Sequence, residues 1–314
     1  MAKKKAARSR TGAGTPRQRT CGTMPQHQFL LETNPNFRKN LVALEHACQE
    51  RLRSAAVARV TPYKITIVVH VVNNLASPAE KISVSQVKSQ IAVLNRDYSA
   101  TNPDKSKTPT VFGGLVANPT IEFVLATKDP AGDATTGITY TETDQTSFSD
   151  RDNPVKFKAK GGINAWDTKK YLNIWVCTLS SNLLGYAQFP GGPVNTDGVV
   201  ILNTAFGTNG SAAAPFNLGR SSTHEIGHFL NLRHIWGDTP DCSGSDFVDD
   251  TPNAETANFG KPTFPHVTCK NGPNGDMFMN YMDYSDDDSM YMFTPGQVSR
   301  MHATLDGPRT SLVS

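Results

Sequence analysis

The sequence contains no uninterrupted apolar run of 18 or more residues, which excludes a membrane-spanning helix. It also lacks the apolar stretch of 7–15 residues that follows the positive start of a secretory signal. Thr11 to Thr20 is instead rich in Gly, Pro and Arg, so the expectation is export by another route, another start, or a protein that stays inside the cell. Acidic residues are missing from positions 1–20, which carry Lys3, Lys4, Lys5, Arg8, Arg10, Arg17 and Arg19. Those seven come from 31 basic residues; the other 24 face 28 acidic ones, so the formal charge of +3 belongs to the tail and the rest is near −4. Such a tail can touch nucleic acid or anionic lipid. No aromatic or groove-reading motif accompanies it, and its composition is that of a solvated arm. Cysteine is scarce: Cys21, Cys48, Cys177, Cys242 and Cys269 are odd in number, so at least one thiol has a role of its own.

What is present suits one large domain, or two subdomains plus an extra segment. Phe37, Leu41, Leu44, Cys48 and Leu52 recur at three- or four-residue steps and predict a helix over 34–56, followed by a small, polar linker at 55–59. The run 63–74 becomes wholly apolar, as in a buried strand, with His70 a satisfied core histidine. An amphipathic helix is expected over 83–98, capped by Ser83 or Ser85, and further strands over 120–127, 171–179, 185–189 and 198–203. Residues 129–162 read as a long polar loop. Cys177 falls in a strand and reads as an inert buried thiol. Thr294, Pro295 and Gln297 open a last helix, 294–305, with a capping box.

The chemistry concentrates in His224-Glu-Ile-Gly-His-Phe-Leu-Asn-Leu-Arg-His234. Residues four apart share a helical face, so His224 and His228 can hold one Zn²⁺. Glu225 then stands beside the metal. It can take the proton of a water whose acidity the metal raises, and return it to a leaving amine. His234 can join as third ligand only if the helix ends and the chain turns back, and Asn231, which tolerates a left-handed backbone, sits where that turn is needed. The alternative is a non-catalytic zinc module that recognises proteins or glycans, to which a base beside the metal would contribute nothing. After His234 the chain is rich in Asp, Asn, Gly and Pro, so clips are expected. Cys242 and Cys269 are available for one. Asp246, Asp249 and Asp250, beside Thr251, offer hard oxygens suited to calcium, or else form a solvated acidic loop.

The zinc stretch, together with Leu232–Asp238 (LRHIWGD), Asp246–Pro252 (DFVDDTP), Met277–Tyr284 (MFMNYMDY) and Met292–Gln297 (MFTPGQ), resembles the metzincin metallopeptidases and, within them, the ulilysin-like pappalysin family. The resemblance covers about residues 60–305. It implies an α+β fold of two subdomains. A mixed five-stranded sheet with backing and active-site helices (about 60–231) lies above an irregular lower part (about 232–314) clipped by a disulfide and calcium. It implies Met282 as the floor beneath the zinc and Tyr284 as a donor to the oxyanion. It implies Ca²⁺ on Asp246, Thr251 and the Val248 carbonyl, and a Cys242–Cys269 disulfide. A second pair usual in the family would fall near Lys261 and Ser289, which are not cysteines. Asp288 corresponds to the acid that selects Arg or Lys just after the cleaved bond. Residues 1–59 resemble a propeptide, with Cys21 holding the zinc of a latent form until cleavage near Ala58-Arg59. Substrates are expected to be proteins or peptides, lying antiparallel to the edge strand at 185–189. The extracellular space is the expected compartment, and nothing in the chain indicates an oligomeric state.

Overall fold

The computed structural model describes residues 16, 18–53 and 61–313. Most of the basic tail and the expected cleavage point at Ala58-Arg59 lie outside them. The chain opens with two helices, α1 (Thr23–Thr33) and α2 (Pro35–Arg53). α2 matches the expected helix; the Asn34 side chain accepts from the amides of Asn36 and Phe37 and so starts it. α1 was not anticipated. It has almost no amphipathic pattern to read, and its buried face includes the polar Thr23, Gln26 and His27.

Six strands among the described residues form one mixed sheet. The long β1 (Tyr63–Asn74) is its spine. β2 (Ile121–Leu125) and β3 (Ile138–Thr143) lie end to end along one side of β1, against its first and second halves. On the other side follow β4 (Leu172–Cys177), β6 (Val199–Leu202) and, at the edge, the antiparallel β5 (Gly185–Ala187). The sheet is thus five positions wide, as expected, but holds a sixth strand. β3 falls inside the stretch read as a patternless loop. Its Ile-Thr-Tyr-Thr-Glu-Thr is polar, yet β-branched at alternate places, and that was the available signal. His70 is a core residue: its ring nitrogens meet Thr139 Oγ1 at 2.8 Å and Asn173 Oδ1 at 3.0 Å.

One sheet face packs Ile65, Ile67, Val69 and Val71 against α3 (Val84–Asp97) and α5 (Arg220–Phe229), the helix that carries His224 and His228. Between these two helices in the chain lies a single short turn of helix, α4 (Thr110–Gly113). Ser83 caps α3 by accepting from the Gln86 amide. The other face buries Val72, Trp175, Val200 and Phe216 in a separate cluster. Below the sheet the chain is irregular apart from a two-residue pairing of β7 (Phe259–Gly260) with β8 (Tyr284–Ser285). It ends on α6 (Pro295–Leu305), whose capping box of Thr294 and Gln297 forms as expected.

Cys242 and Cys269 are joined by a disulfide, while Cys21, Cys48 and Cys177 are free and buried. The bridge closes a segment with few apolar residues to hold it. Loop-closure entropy makes it worth about 3.5 kcal/mol. The double variant Cys242→Ser/Cys269→Ser should therefore lose about that much stability, seen as a lower urea midpoint with an otherwise similar transition.

Candidate active site

α5 begins after Gly219 and carries His224 and His228 on one face. It ends where Asn231 takes a left-handed backbone, φ +73°, with the Leu232 amide donating back to the Gly227 carbonyl. That reversal brings His234 round. The three Nε2 atoms converge: 224 to 228 at 3.1 Å, 228 to 234 at 3.0 Å and 224 to 234 at 3.2 Å. Each Nδ1 faces an acceptor: the Tyr281 carbonyl for His224 (2.7 Å), the Leu232 carbonyl for His228 (2.8 Å) and the Asp238 carboxylate for His234. Protons therefore belong on Nδ1, and three Nε2 lone pairs point at one another. Burial first, then the neighbouring imidazoles, push His224 and His228 well below the ordinary histidine pKa, so these rings stay neutral. Three converging lone pairs without a proton between them are stable only around a cation, and the donor set fits zinc. The cluster of potential metal-holding groups has a fourth member, the Cys21 thiol.

Asp238 had no role in the reading of the sequence. Its place four residues after His234 was the signal, since a metal-binding imidazole is oriented by an acceptor on its other nitrogen. Trp236 adds to this, stacking parallel to the His234 ring at 4.3 Å.

Met282 lies beneath the cluster. A side-chain carbon added at Gly227 would meet the Met282 sulfur at 2.5 Å, so the glycine of the motif is what lets the methionine come so close under α5. Glu225 is buried at the other side. A carbon added at Gly185 of the edge strand would meet its Cγ at 2.9 Å. Burial pushes the Glu225 carboxyl up to about 7, against the opposing hydrogen bonds from Cys21 and Thr23. The Tyr284 ring stands 4.9 Å from that of His234 and 5.8 Å from that of His224, with its phenol against the Cys21 backbone.

The stretch 19–23 runs through this site parallel to β5. The Leu184 amide donates to Thr20 O, and the Gly22 amide to Gly185 O, both at 2.9 Å. Cys21 Sγ lies 3.4 Å from Glu225 Oε2, to which the Thr23 hydroxyl donates at 2.8 Å. Arg19 is buried beside them. Its guanidinium binds Asp287 Oδ1 at 2.6 Å, Ser221 Oγ at 3.1 Å and Ser285 O at 3.2 Å. Asp287 itself is wholly buried and also accepts from the Leu218 and Arg220 amides. Asp288, the acid expected to meet a basic side chain, does not pair with Arg19. It points outward into a half-exposed ion pair with Lys261, while its neighbour Asp287 takes the buried position. Adjacent residues in a tight turn face opposite ways, and a run of three aspartates does not reveal which one turns in.

In the lower part, Asp246, Val248 and Thr251 do come together. The Thr251 hydroxyl lies 2.7 Å from Asp246 Oδ2 and 3.0 Å from the Val248 carbonyl.

The mixed sheet, the lone helix bearing two inward imidazoles, the third from a reversed loop and the methionine below make this a zinc metallopeptidase. Residues 160–306 match the family described as Pregnancy-associated plasma protein-A. An extracellular metalloprotease of Pyricularia oryzae is 30% identical over 289 residues, covering 90% of this chain and 86% of that one. A second, from Arthroderma gypseum, is 29% identical over 293 residues, 90% and 83% of the two chains. Among solved structures, a promirolysin mutant of Tannerella forsythia is 45% identical, with a TM-score of 0.86, over 94% of this chain and 97% of that one. Mature mirolysin of the same organism, in complex with a cleaved peptide, is 49% identical, with a TM-score of 0.79, over 81% and 97%. The chain belongs to the pappalysin family of zinc metalloendopeptidases. No helix among the described residues is long and apolar enough to cross a membrane.

Proposed function

We propose that this chain is the latent precursor of an extracellular zinc endopeptidase that cuts before Arg or Lys, with residues 1–59 as propeptide and 60–314 as catalytic domain. The observation that carries the reading is the pair of buried contacts made by one short stretch: Cys21 against the three imidazoles and Arg19 on Asp287. A thiol there fills the position an attacking water needs. A guanidinium on Asp287 fills the pocket that a basic substrate residue would enter.

His224, His228 and His234 hold the metal, which when bound polarises the scissile carbonyl and acidifies water. Glu225 takes the proton from the attacking water and passes it to the leaving amine; a carboxyl lifted by burial suits both acts. Tyr284, ordered by its packing on His234 and Trp236, donates to the developing oxyanion. Met282 is an apolar floor. The substrate lies antiparallel to β5, using the main-chain groups of Leu184 and Gly185 that residues 20–22 occupy here. Its residue after the cut then reaches Asp287.

A peptide-library digest read by mass spectrometry, with N-terminal sequencing of protein incubated with zinc and calcium, tests the proposal. Cuts before Arg or Lys and a new N-terminus near Arg59 are expected. No cleavage, with an intact start before Arg10, would sink it.

Calcium on Asp246, the Val248 carbonyl and Thr251 completes the assignment. Burial leaves the Asp246 carboxyl near 7, and a divalent cation would offset that cost. A saturating ion stabilises by about 2.7 kcal/mol at a hundredfold excess over Kd. EGTA should then lower the melting temperature by about 5–10 °C. Restoration by calcium in the wild type but not in Asp246→Ala is the check.

A further inference from the structure

We propose that Arg233 and Arg300 form a carboxylate-binding site on the side of the cleft N-terminal to the cleaved bond, so that the processed enzyme favours Asp or Glu two to four residues before it. The inference rests on the propeptide and cleft assigned above.

Arg233 directly precedes the third histidine. Its guanidinium lies over the Phe189 ring, 4.5 Å from the centroid, and Phe189 in turn edges the His228 ring at 5.5 Å. Phe189 follows the edge strand β5 on the side away from Arg19, the side along which the residues before the cut would run. Arg233 is largely buried without a matching partner. Its Nη1 meets only the Met24 thioether, at 3.7 Å, and its Nε has no hydrogen bond among the described residues. The nearby Asp238 is committed to His234.

Arg300, on α6, is 1% exposed. It reaches back to the Asn231 carbonyl at 3.3 Å, in the turn that delivers Arg233 and His234. Its two terminal nitrogens grip both oxygens of Glu45, at 2.9 Å each.

Both groups that cover these arginines, Met24 and Glu45, come from α1 and α2. The N-terminal segment thus meets the cleft with a cation at one end, Arg19 on Asp287, and an anion at the other, Glu45 on Arg300. Removing residues 1–59 takes both away. Arg300 then loses the one carboxylate it pairs with among the described residues, and Arg233, over Phe189, loses its Met24 cover. Arginine forks bind a carboxylate through two parallel charge-assisted bonds, as Glu45 already demonstrates. An acidic side chain of the substrate can take its place.

The test uses the full chain processed to its mature form and fluorogenic peptides with Arg after the scissile bond. Glu, Gln or Lys is placed two, three or four residues before the bond. At one of these positions kcat/KM should be about tenfold higher for Glu than for Gln, and lowest for Lys. Arg233→Glu should invert the Glu-to-Lys order, and Arg233→Gln should bring the ratio towards one. Ratios within one protein are independent of its overall activity. Equal rates for Glu and Gln at every position, with Arg peptides still cut, would overturn this site and leave the protease assignment standing. If no peptide were cut, the protease assignment would fall, and fluorescence anisotropy on the same protein would decide the site. Tenfold tighter binding of the Glu peptide would uphold it; equal affinity would refute it.

Discussion

Replacing Glu225 by glutamine lowers kcat/KM on an Arg-containing peptide about 10³-fold or more, while the chain still binds one zinc through its three histidines. Glutamine has nearly the same shape, so the close packing of Gly185 against the Cγ can persist in the mature protein and the hydrogen bond from Thr23 in the precursor. What it lacks is the ability to accept a proton. The side chains seen on the Glu225 carboxyl are the Cys21 thiol and the Thr23 hydroxyl, and both leave with the propeptide, so no acid from the chain stands ready to replace it. The variant cannot process itself, so it is matured by a trace of wild type that is then removed. Zinc content by atomic absorption and peptide turnover are measured on the same sample. Retained turnover with retained zinc would show that the glutamate is not the base, and a non-catalytic zinc module would become the better description.

Arg19→Ala should turn a stable precursor into one that matures far faster. Arg19 and Asp287 are both almost completely shielded, with side-chain exposures of 1% and 0%. Removing one partner of such a pair costs about 3–5 kcal/mol, because the other charge is left without its counter-ion. In the wild type that energy holds residues 19–23 in the cleft. Its loss shifts the docked-to-undocked equilibrium by a factor of about 10²–10⁴. The lag before self-processing, followed on gels from freshly loaded zinc protein, should shorten accordingly. Arg19→Lys should lie between, since it keeps the charge but not the fork that also reaches Ser221 and Ser285. An unchanged lag in Arg19→Ala would mean that Cys21 alone maintains latency.

The metal cluster was legible early because a single helix and a single reversal build it. The spacing of His224, His228 and His234 is a local property, and Asn231 adopts the left-handed turn its chemistry allows. The caps at Ser83 and Thr294 were legible for the same reason. β3 and α1 were not. β3 acquires its place only by pairing with the far half of β1, and α1 by covering the edge strand and Phe189. Neither carries the amphipathic pattern of an element that stands alone.

What the amino-acid order determined by itself is therefore the chemistry within one turn of chain: which imidazoles meet, which carboxylate stands beside them, and which helices are capped. Only the tertiary structure decided which of three consecutive aspartates faces inward, that Arg19 reaches it from 268 residues away, and that Glu45 sits on Arg300 from 255 residues away. Those choices are electrostatic matches between distant segments. A buried charge accepts whichever partner the fold delivers, and nothing in its own neighbourhood along the chain records which one that will be.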